Sequence, residues 1–566
     1  MRTFRRETGL YLLALFLGLT VRLVGLGSLP LSDPEAGWAL QALDVARGAR
    51  PPLGSQPAYL ALTSALFFAF GGATNTLARL IPALTGSALI LVPWLFRESL
   101  KPRPAVILAF ALALEPGLAA LSRQAGSSIM ALTFMLAAWG FWQRGQAGWS
   151  GACAGMALLS GSAVWPGLLG LVLSWALLRP LQGAPRSQAG GPAAITAISL
   201  SEWGKLGLYA LGSIFFVGTA FMSMPGGLSA WIAGLPEYIL GWTSASAVPV
   251  SVVLSSLVAY QPLGLLLALL AAVRGWAQRK SRARRLSVWM LVALLLTLFY
   301  PSRQVIDLAW MLIPLWALAS LELARALNLP REDRREVLAA VALSCIILVF
   351  AWLDFLALRR PGLLPDQVEL RVWLLIGSLF LLLVSLLLVA VGWSVQAARH
   401  GTLWGLTAFL SVYSTAMLMA ATGHRQLPNS AELWHPGSYQ PMASLLLRTV
   451  DDQSAWSDKD RNAQSVAIAG VDSAALRWLL RDRPLEIRAS AGPASDQAML
   501  ITPDQPDLAL AASYRGQSFV WRRTPVWSLF RFQEWLPFHE ITQESEFIIL
   551  WVRSDLFPDA RPRSSP

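Results

Sequence analysis

The feature that most limits the folds open to this chain is the repetition of apolar runs close to 20 residues long, parted by short polar loops. A helix of about 20 residues matches a hydrocarbon core of about 30 Å, so each such run is a candidate membrane crossing. The 566-residue chain has a mean hydropathy of +0.52, with 55% hydrophobic and only 14% charged residues, values that exclude a soluble multidomain protein. A formal charge of +12 would suit a nucleic-acid binder. The basic residues, however, sit mostly in short loops between the apolar runs, which is the pattern that sets membrane orientation, and no nucleic-acid partner is expected. Cys153 and Cys345 both lie inside apolar runs and read as small packing residues, with no disulfide or metal spacing.

Charge and run length together give a topology. The run 10–26 follows Arg2, Arg5 and Arg6, lacks a small-residue cleavage site, and reads as a retained first helix with the N-terminus in the cytoplasm. Pro57–Phe70 would be only about 21 Å long as a helix and reads as lying along the outer surface. Crossings then follow at 77–96, 105–121, 128–142, 152–164, 167–178, 206–222, 250–273, 286–298, 305–324, 337–356, 372–391 and 403–421. Between them lie a Gly/Pro/Ser/Ala-rich cytoplasmic linker at 179–201, a third outer loop at 224–248, and the most basic loop, 274–285, in the cytoplasm. The expected fold is a polytopic α-helical protein of the plasma (inner) membrane, with about thirteen transmembrane helices over residues 1–422. Residues 423–566 are far more polar and read as a small extracytoplasmic α/β domain. Its expected strands lie at 465–469, 485–487, 498–501, 518–521 and 547–552, with helices at 441–450 and from Ser473 as N-cap to Leu480. It holds no Gly-rich phosphate loop, no His/Cys metal pattern and no GxSxG.

The candidate chemistry lies in the first outer loop, 27–76, at Leu31-Ser32-Asp33-Pro34-Glu35-Ala36-Gly37-Trp38. Two descriptions fit it. Ser32 or Asp33 as N-cap, Pro34 at the helix start and Glu35 in the first turn are explained by capping alone. A carboxylate at an apolar surface can also act as a general base towards an acceptor hydroxyl or amine. The 25 tryptophans invite a sugar-stacking reading, but Trp94, Trp139, Trp142 and Trp276 sit at span ends as interface residues do. Trp38, beside the carboxylates, stays a candidate sugar or lipid contact.

The order of motifs resembles the GT-C superfamily of membrane glycosyltransferases. The match is nearest the group of protein mannosyltransferases and the aminoarabinose transferase of lipid A, with the related flippase-activity-associated proteins. The residues that carry it are Glu35-Ala36 with Gly48, Arg50-Pro51-Pro52, Pro57-Ala58-Tyr59, Arg79-Leu80-Ile81-Pro82-Ala83-Leu84, and Pro116 with Ser122-Arg123. The motifs cover residues 1–180 and the topology covers the whole chain. In that superfamily the loop motif is Asp-Glu, with the Asp as proposed base. Ungapped alignment on Glu35-Ala36 and Gly48 puts Pro34 at the Asp position and Asp33 one residue early. Where relatives have Ser-Arg-Glu-x-Arg in the second outer loop, this chain has Ser122-Arg123-Gln124-Ala125-Gly126. Glu115 lies two helical turns earlier and reads as capping or pairing at a helix end.

The resemblance implies transfer of a sugar from a polyprenyl-phosphate-linked donor to a glycan, lipid or protein acceptor on the outer face of the membrane. Asp33 or Glu35 would be the base, and Arg123 or Arg303, in Tyr300-Pro301-Ser302-Arg303, would hold the lipid phosphate. Arg79 and Tyr59 are further substrate-binding candidates. No metal ligand and no cofactor is assigned, and a divalent cation is compatible. The altered motifs also suit a second reading, a non-catalytic GT-C-like protein that binds lipid-linked glycans or helps assemble them. Arg79, Arg123 and Arg303 equally suit anchoring at the membrane interface.

Overall fold

The computed structural model describes residues 2–179, 200–246, 248–327, 334–358, 362–424, 431–435, 437–457, 464–490, 497–504 and 512–554. Most of the linker expected at 179–201 falls outside the described residues. The chain opens with α1 (Arg2–Leu23), α2 (Asp33–Ala46), α3 (Pro57–Phe70) and α4 (Asn75–Ala88), the last continuing through a 3-10 turn to Leu95 as one candidate span. α5 (Pro102–Leu114) and α6 (Pro116–Ser122) follow, then α7 (Ser128–Gln143), α8 (Ala147–Leu158), α9 (Val164–Leu178) and α10 (Leu200–Gly218). The second half holds α11 (Gly227–Leu240), α12 (Val250–Tyr260), α13 (Pro262–Ala277), α14 (Ser281–Phe299), α15 (Ala309–Ala326), α16 (Arg334–Ala357), α17 (Pro365–Gly392) and α18 (Val395–Ala421).

Among the described residues six helices are long and apolar enough to cross a membrane, or up to eight if two bent pairs each count as one span. About thirteen were expected from the apolar runs. The difference lies in expected crossings whose helices are apolar but short, such as α7, and in runs interrupted by proline; α3 is short as well, as its expected place along the surface requires. Runs 105–121 and 250–273, each read as one crossing, are both broken. α5 and α6 meet at 58° and α12 and α13 at 88°. In each case a proline, Pro116 or Pro262, begins the second helix, where its missing N–H costs nothing and its ring prevents the first helix from continuing. The two breaks also touch. Glu115 caps α6, accepting from the N–H groups of Gly117 (3.0 Å) and Leu118, and takes a further hydrogen bond from the Gln261 side chain at the other break. The stretch 224–248, expected to be a loop, contains the apolar helix α11.

α15 is the axis of the helical part, with 83% of its span window buried, whereas α17 has 6% buried and turns its Leu- and Val-rich surface outward. The polar C-terminal part holds α19 (Ala443–Ser457), β1 (Val466–Ala469), α20 (Ala474–Leu479), β2 (Leu485–Arg488), β3 (Met499–Pro503), β4 (Tyr514–Pro525), α21 (Phe532–Phe538) and β5 (Gln543–Arg553). The sheet order is β2-β1-β3-β5-β4. β1 runs parallel to both neighbours, and β5 is antiparallel to β3 and β4. The five expected strands are present, with β4 and β5 longer than their apolar centres suggested. Sheet and helices share one core. Trp434 presses on Gly117 of α6 so closely that a Cβ there would lie 2.2 Å from the ring.

Candidate functional site

The loop carboxylates sit where the sequence places them, at the start of α2, and the capping description accounts for part of what they do. Glu35 reaches back to accept from the backbone N–H of Ser32 (3.0 Å) and from its hydroxyl (3.1 Å), half of a capping box. Its main partner comes from α4. Arg79 grips it through Nε and Nη2, both at 2.8 Å, and gives its remaining donors to the carbonyls of Leu26, Leu29 and Pro30. Ala125 of the second loop adds a backbone N–H at 2.8 Å. Burial alone would raise the Glu35 pKa. The Arg79 charge and these hydrogen bonds outweigh it and hold the carboxyl below its usual value, so it is ionised at neutral pH.

Asp33 points the other way, into the sheet domain. Its Oδ1 accepts from the Ser473 hydroxyl (2.6 Å) and the Ala475 N–H (3.0 Å) at the start of α20. Its Oδ2 accepts from Arg522 of β4 through Nε (3.1 Å) and Nη2 (2.7 Å). Ser473 is at once the N-cap of α20, accepting from Leu476 N–H, and the acceptor of the Trp521 indole N–H. Beside this contact Trp478 donates its indole N–H to Asn75, and Arg481 donates to the carbonyl of Ala73. The start of α2 is therefore the seat on which the sheet domain docks.

The arginines divide. Arg123 is buried and donates to the carbonyls of Val21, Arg22, Val24 and Gly25, closing the C-terminus of α1. Burial, with Arg79 nearby, lowers its pKa to about 10, still cationic at neutral pH. Arg303 stands apart from this cluster, at the end of α14. It donates through Nη1 to the carbonyls of Tyr300 (3.1 Å) and Leu298 (3.5 Å), while its Nε is buried with no partner. Tyr300 stacks on Tyr238, ring centroids 5.0 Å apart, with the edge of Trp242 against it. Tyr59 is fully buried and donates to the carbonyl of Ala78 (2.8 Å), which makes it core in this conformation. Trp38 is half-buried against the backbone of Gly54, where a Cβ would lie 2.1 Å from its ring.

Several participants were not singled out from the sequence. Gln124, at the position where the resemblance implies Glu, donates to the carbonyl of Trp434 (3.0 Å) and to Nδ1 of the buried His435 (3.1 Å), whose Nε2–H goes to the carbonyl of Ala421. Arg522 and Ser473 complete the shell of Asp33. The departure at Gln124 and the cap position of Ser473 gave signals; that Trp434, His435, Ser473 and Arg522 would meet loops more than 300 residues away did not show. Among the described residues no group of three or more His, Cys, Asp or Glu side chains is placed to hold a metal ion.

No protein-family model matches the sequence, and no curated protein matches it. Among solved structures the chain is similar to ArnT from Cupriavidus metallidurans bound to undecaprenyl phosphate. The identity is 15%, coverage is 98% of this chain and 99% of that one, and the TM-score is 0.52. The apo form of the same protein gives 15% identity, 96% and 98% coverage, and a TM-score of 0.51. The likeness runs through the membrane helices and the sheet domain alike, so the chain is an integral membrane protein that shares the fold of that protein, apolar helices followed by a small sheet domain.

Proposed function

We propose that this chain transfers a sugar from a polyprenyl-phosphate-linked donor to an acceptor on the outer face of the membrane. The observation that carries the reading is end-to-end likeness in fold to a protein solved with undecaprenyl phosphate bound. In this reading Arg303 meets the lipid phosphate, because its buried Nε lacks a partner, whereas Arg79 and Arg123 are engaged with Glu35 and with carbonyls. A guanidinium with free donors suits a phosphate oxygen. Asp33 is the base. Its side chain is 22% exposed, against 11% for Glu35, and the donors it accepts from lie on the sheet domain, so undocking frees both oxygens. Glu35 keeps the loop in shape. The acceptor oxygen attacks the anomeric carbon, its proton passes to Asp33, and the polyprenyl phosphate leaves.

A second reading rests on a specific observation: as the chain is folded here, all four carboxylate oxygens of Asp33 and Glu35 accept two or more hydrogen bonds. That suits a non-catalytic protein that binds lipid-linked glycans. Two variants separate the readings, assayed on the full chain in vesicles with polyprenyl-phosphate-linked pentoses and hexoses and with release of polyprenyl phosphate measured. Arg522→Met removes both hydrogen bonds to Asp33 Oδ2 and loosens the dock but leaves the carboxylate, and Asp33→Asn removes the base. The transfer reading expects Asp33→Asn to lower the rate at least 100-fold, within the range of general base catalysis, while Arg522→Met retains it. Equal effects of the two would reduce Asp33 to a docking residue. Absence of turnover in the wild-type chain with every donor favours the binding reading.

A further inference from the structure

A cavity of about 460 Å³ lies between α16 and α18, beneath the turn that follows α21. Its walls are apolar, formed by Val349, Trp352, Phe409, Val412 and Met417, and Val412 is 72% exposed. α16 and α18 are both candidate membrane spans with little of their surface buried, so the cavity is a groove facing the bilayer. At the sheet-domain end the lining changes character, to Glu432 and His539.

These two form a fixed pair. Glu432 Oε1 meets His539 Nδ1 at 2.6 Å, and Oε2 accepts from the hydroxyl of Tyr260, the last residue of α12 before its break. The imidazole stacks on Trp535 at 4.4 Å between centroids. The backbone of His539 is pinned in the left-handed region, φ 58°, accepting from Ala431 N–H at 2.8 Å. Nδ1 is turned to the carboxylate, and Nε2, which accepts in the neutral ring and donates in the protonated one, bonds no described residue. The residues lining the groove include no lysine or arginine. An anionic head group would therefore meet a carboxylate with no lysine or arginine beside it, whereas a hydroxyl can pair with Nε2 in either ring state and donate to a Glu432 oxygen.

We propose that this groove binds a membrane amphiphile with an uncharged, hydroxyl-bearing head, its chain against α16 and α18 and its head at Glu432 and His539. Phosphate recognition belongs elsewhere, at Arg303.

The test uses the full chain in phosphatidylcholine nanodiscs and needs no donor. The probes are three single-chain amphiphiles of equal length carrying a diazirine in the chain: an alkyl maltoside, an alkyl phosphate and an alkyl trimethylammonium. After photolysis, labelled peptides are mapped. The expected result is that the maltoside labels 345–356 and 408–420 at least fivefold more than the other two. Val412→Trp, which fills the groove, or independently Ala416→Leu, should lower that labelling at least fivefold, and His539→Gln should lower it with the thermal midpoint kept. Equal labelling by the phosphate probe, or labelling untouched by both filling variants, overturns the proposal whatever the chain's transferase activity.

Discussion

At the scale of single residues the Arg79–Glu35 pair is where the largest effect is expected. Both side chains are nearly buried. Removing one partner of a buried pair costs about 3–5 kcal/mol because the other charge is left uncompensated. Arg79→Met should therefore lower the thermal midpoint by many degrees, and adding Glu35→Gln should restore part of the loss, since the two act as one unit. The pair also sets acid behaviour. Glu35 is held below its ordinary value, so its contribution is present above the usual carboxylate range and lost as pH falls through its lowered value. His435 acts higher on the scale. Burial lowers its pKa, so the unfolded chain takes up a proton that the native chain refuses, and stability declines as pH falls below about 6.5. His435→Gln should flatten that part of a midpoint-against-pH curve. The sequence marked Glu35, Arg79 and Arg123 as charged residues near an apolar surface. It held nothing to say that Arg79 would take Glu35 while Arg123 took the end of α1, because such pairings arise only when distant segments pack.

At the scale of elements, apolar periodicity was a good guide to where helices lie and a poor one to where they bend. Pro116 and Pro262 were visible, yet the runs around them are apolar but for a few positions, Glu115 and Gln261 among them, and read as continuous. What makes the breaks tolerable is polar and tertiary: Glu115 caps the second half of one span and binds Gln261 from the other. Glu115→Ala removes a cap and orphans a buried amide, a cost of about 1–3 kcal/mol, whereas Glu115→Gln should cost less. Denaturant titration of both variants checks the order. The sheet strands were legible because their apolar centres alternate with turn residues, and Ser473 was legible as a cap. That the same Ser473 would also receive Asp33 was not, since a cap residue's spare hydrogen points wherever tertiary structure puts an acceptor.

For the whole molecule, the distribution of basic residues predicts that the loop 274–285 and the sheet domain lie on opposite sides of the membrane. Single cysteines at Arg282 and Arg531, in a chain with Cys153 and Cys345 replaced, should react with an impermeant maleimide from opposite faces of sealed vesicles. Labelling of both from one face would overturn this orientation. The docking of Asp33 also has a consequence for how the molecule is made. Its partners Ser473 and Arg522 lie 440 and 489 positions further along the chain. At about 5–20 residues per second they emerge roughly 20–100 s after the loop itself. Through that interval the first loop has been inserted but lacks its last ligands, so a ribosome stalled before residue 473 displays a nascent chain whose second helix has a start and no lid.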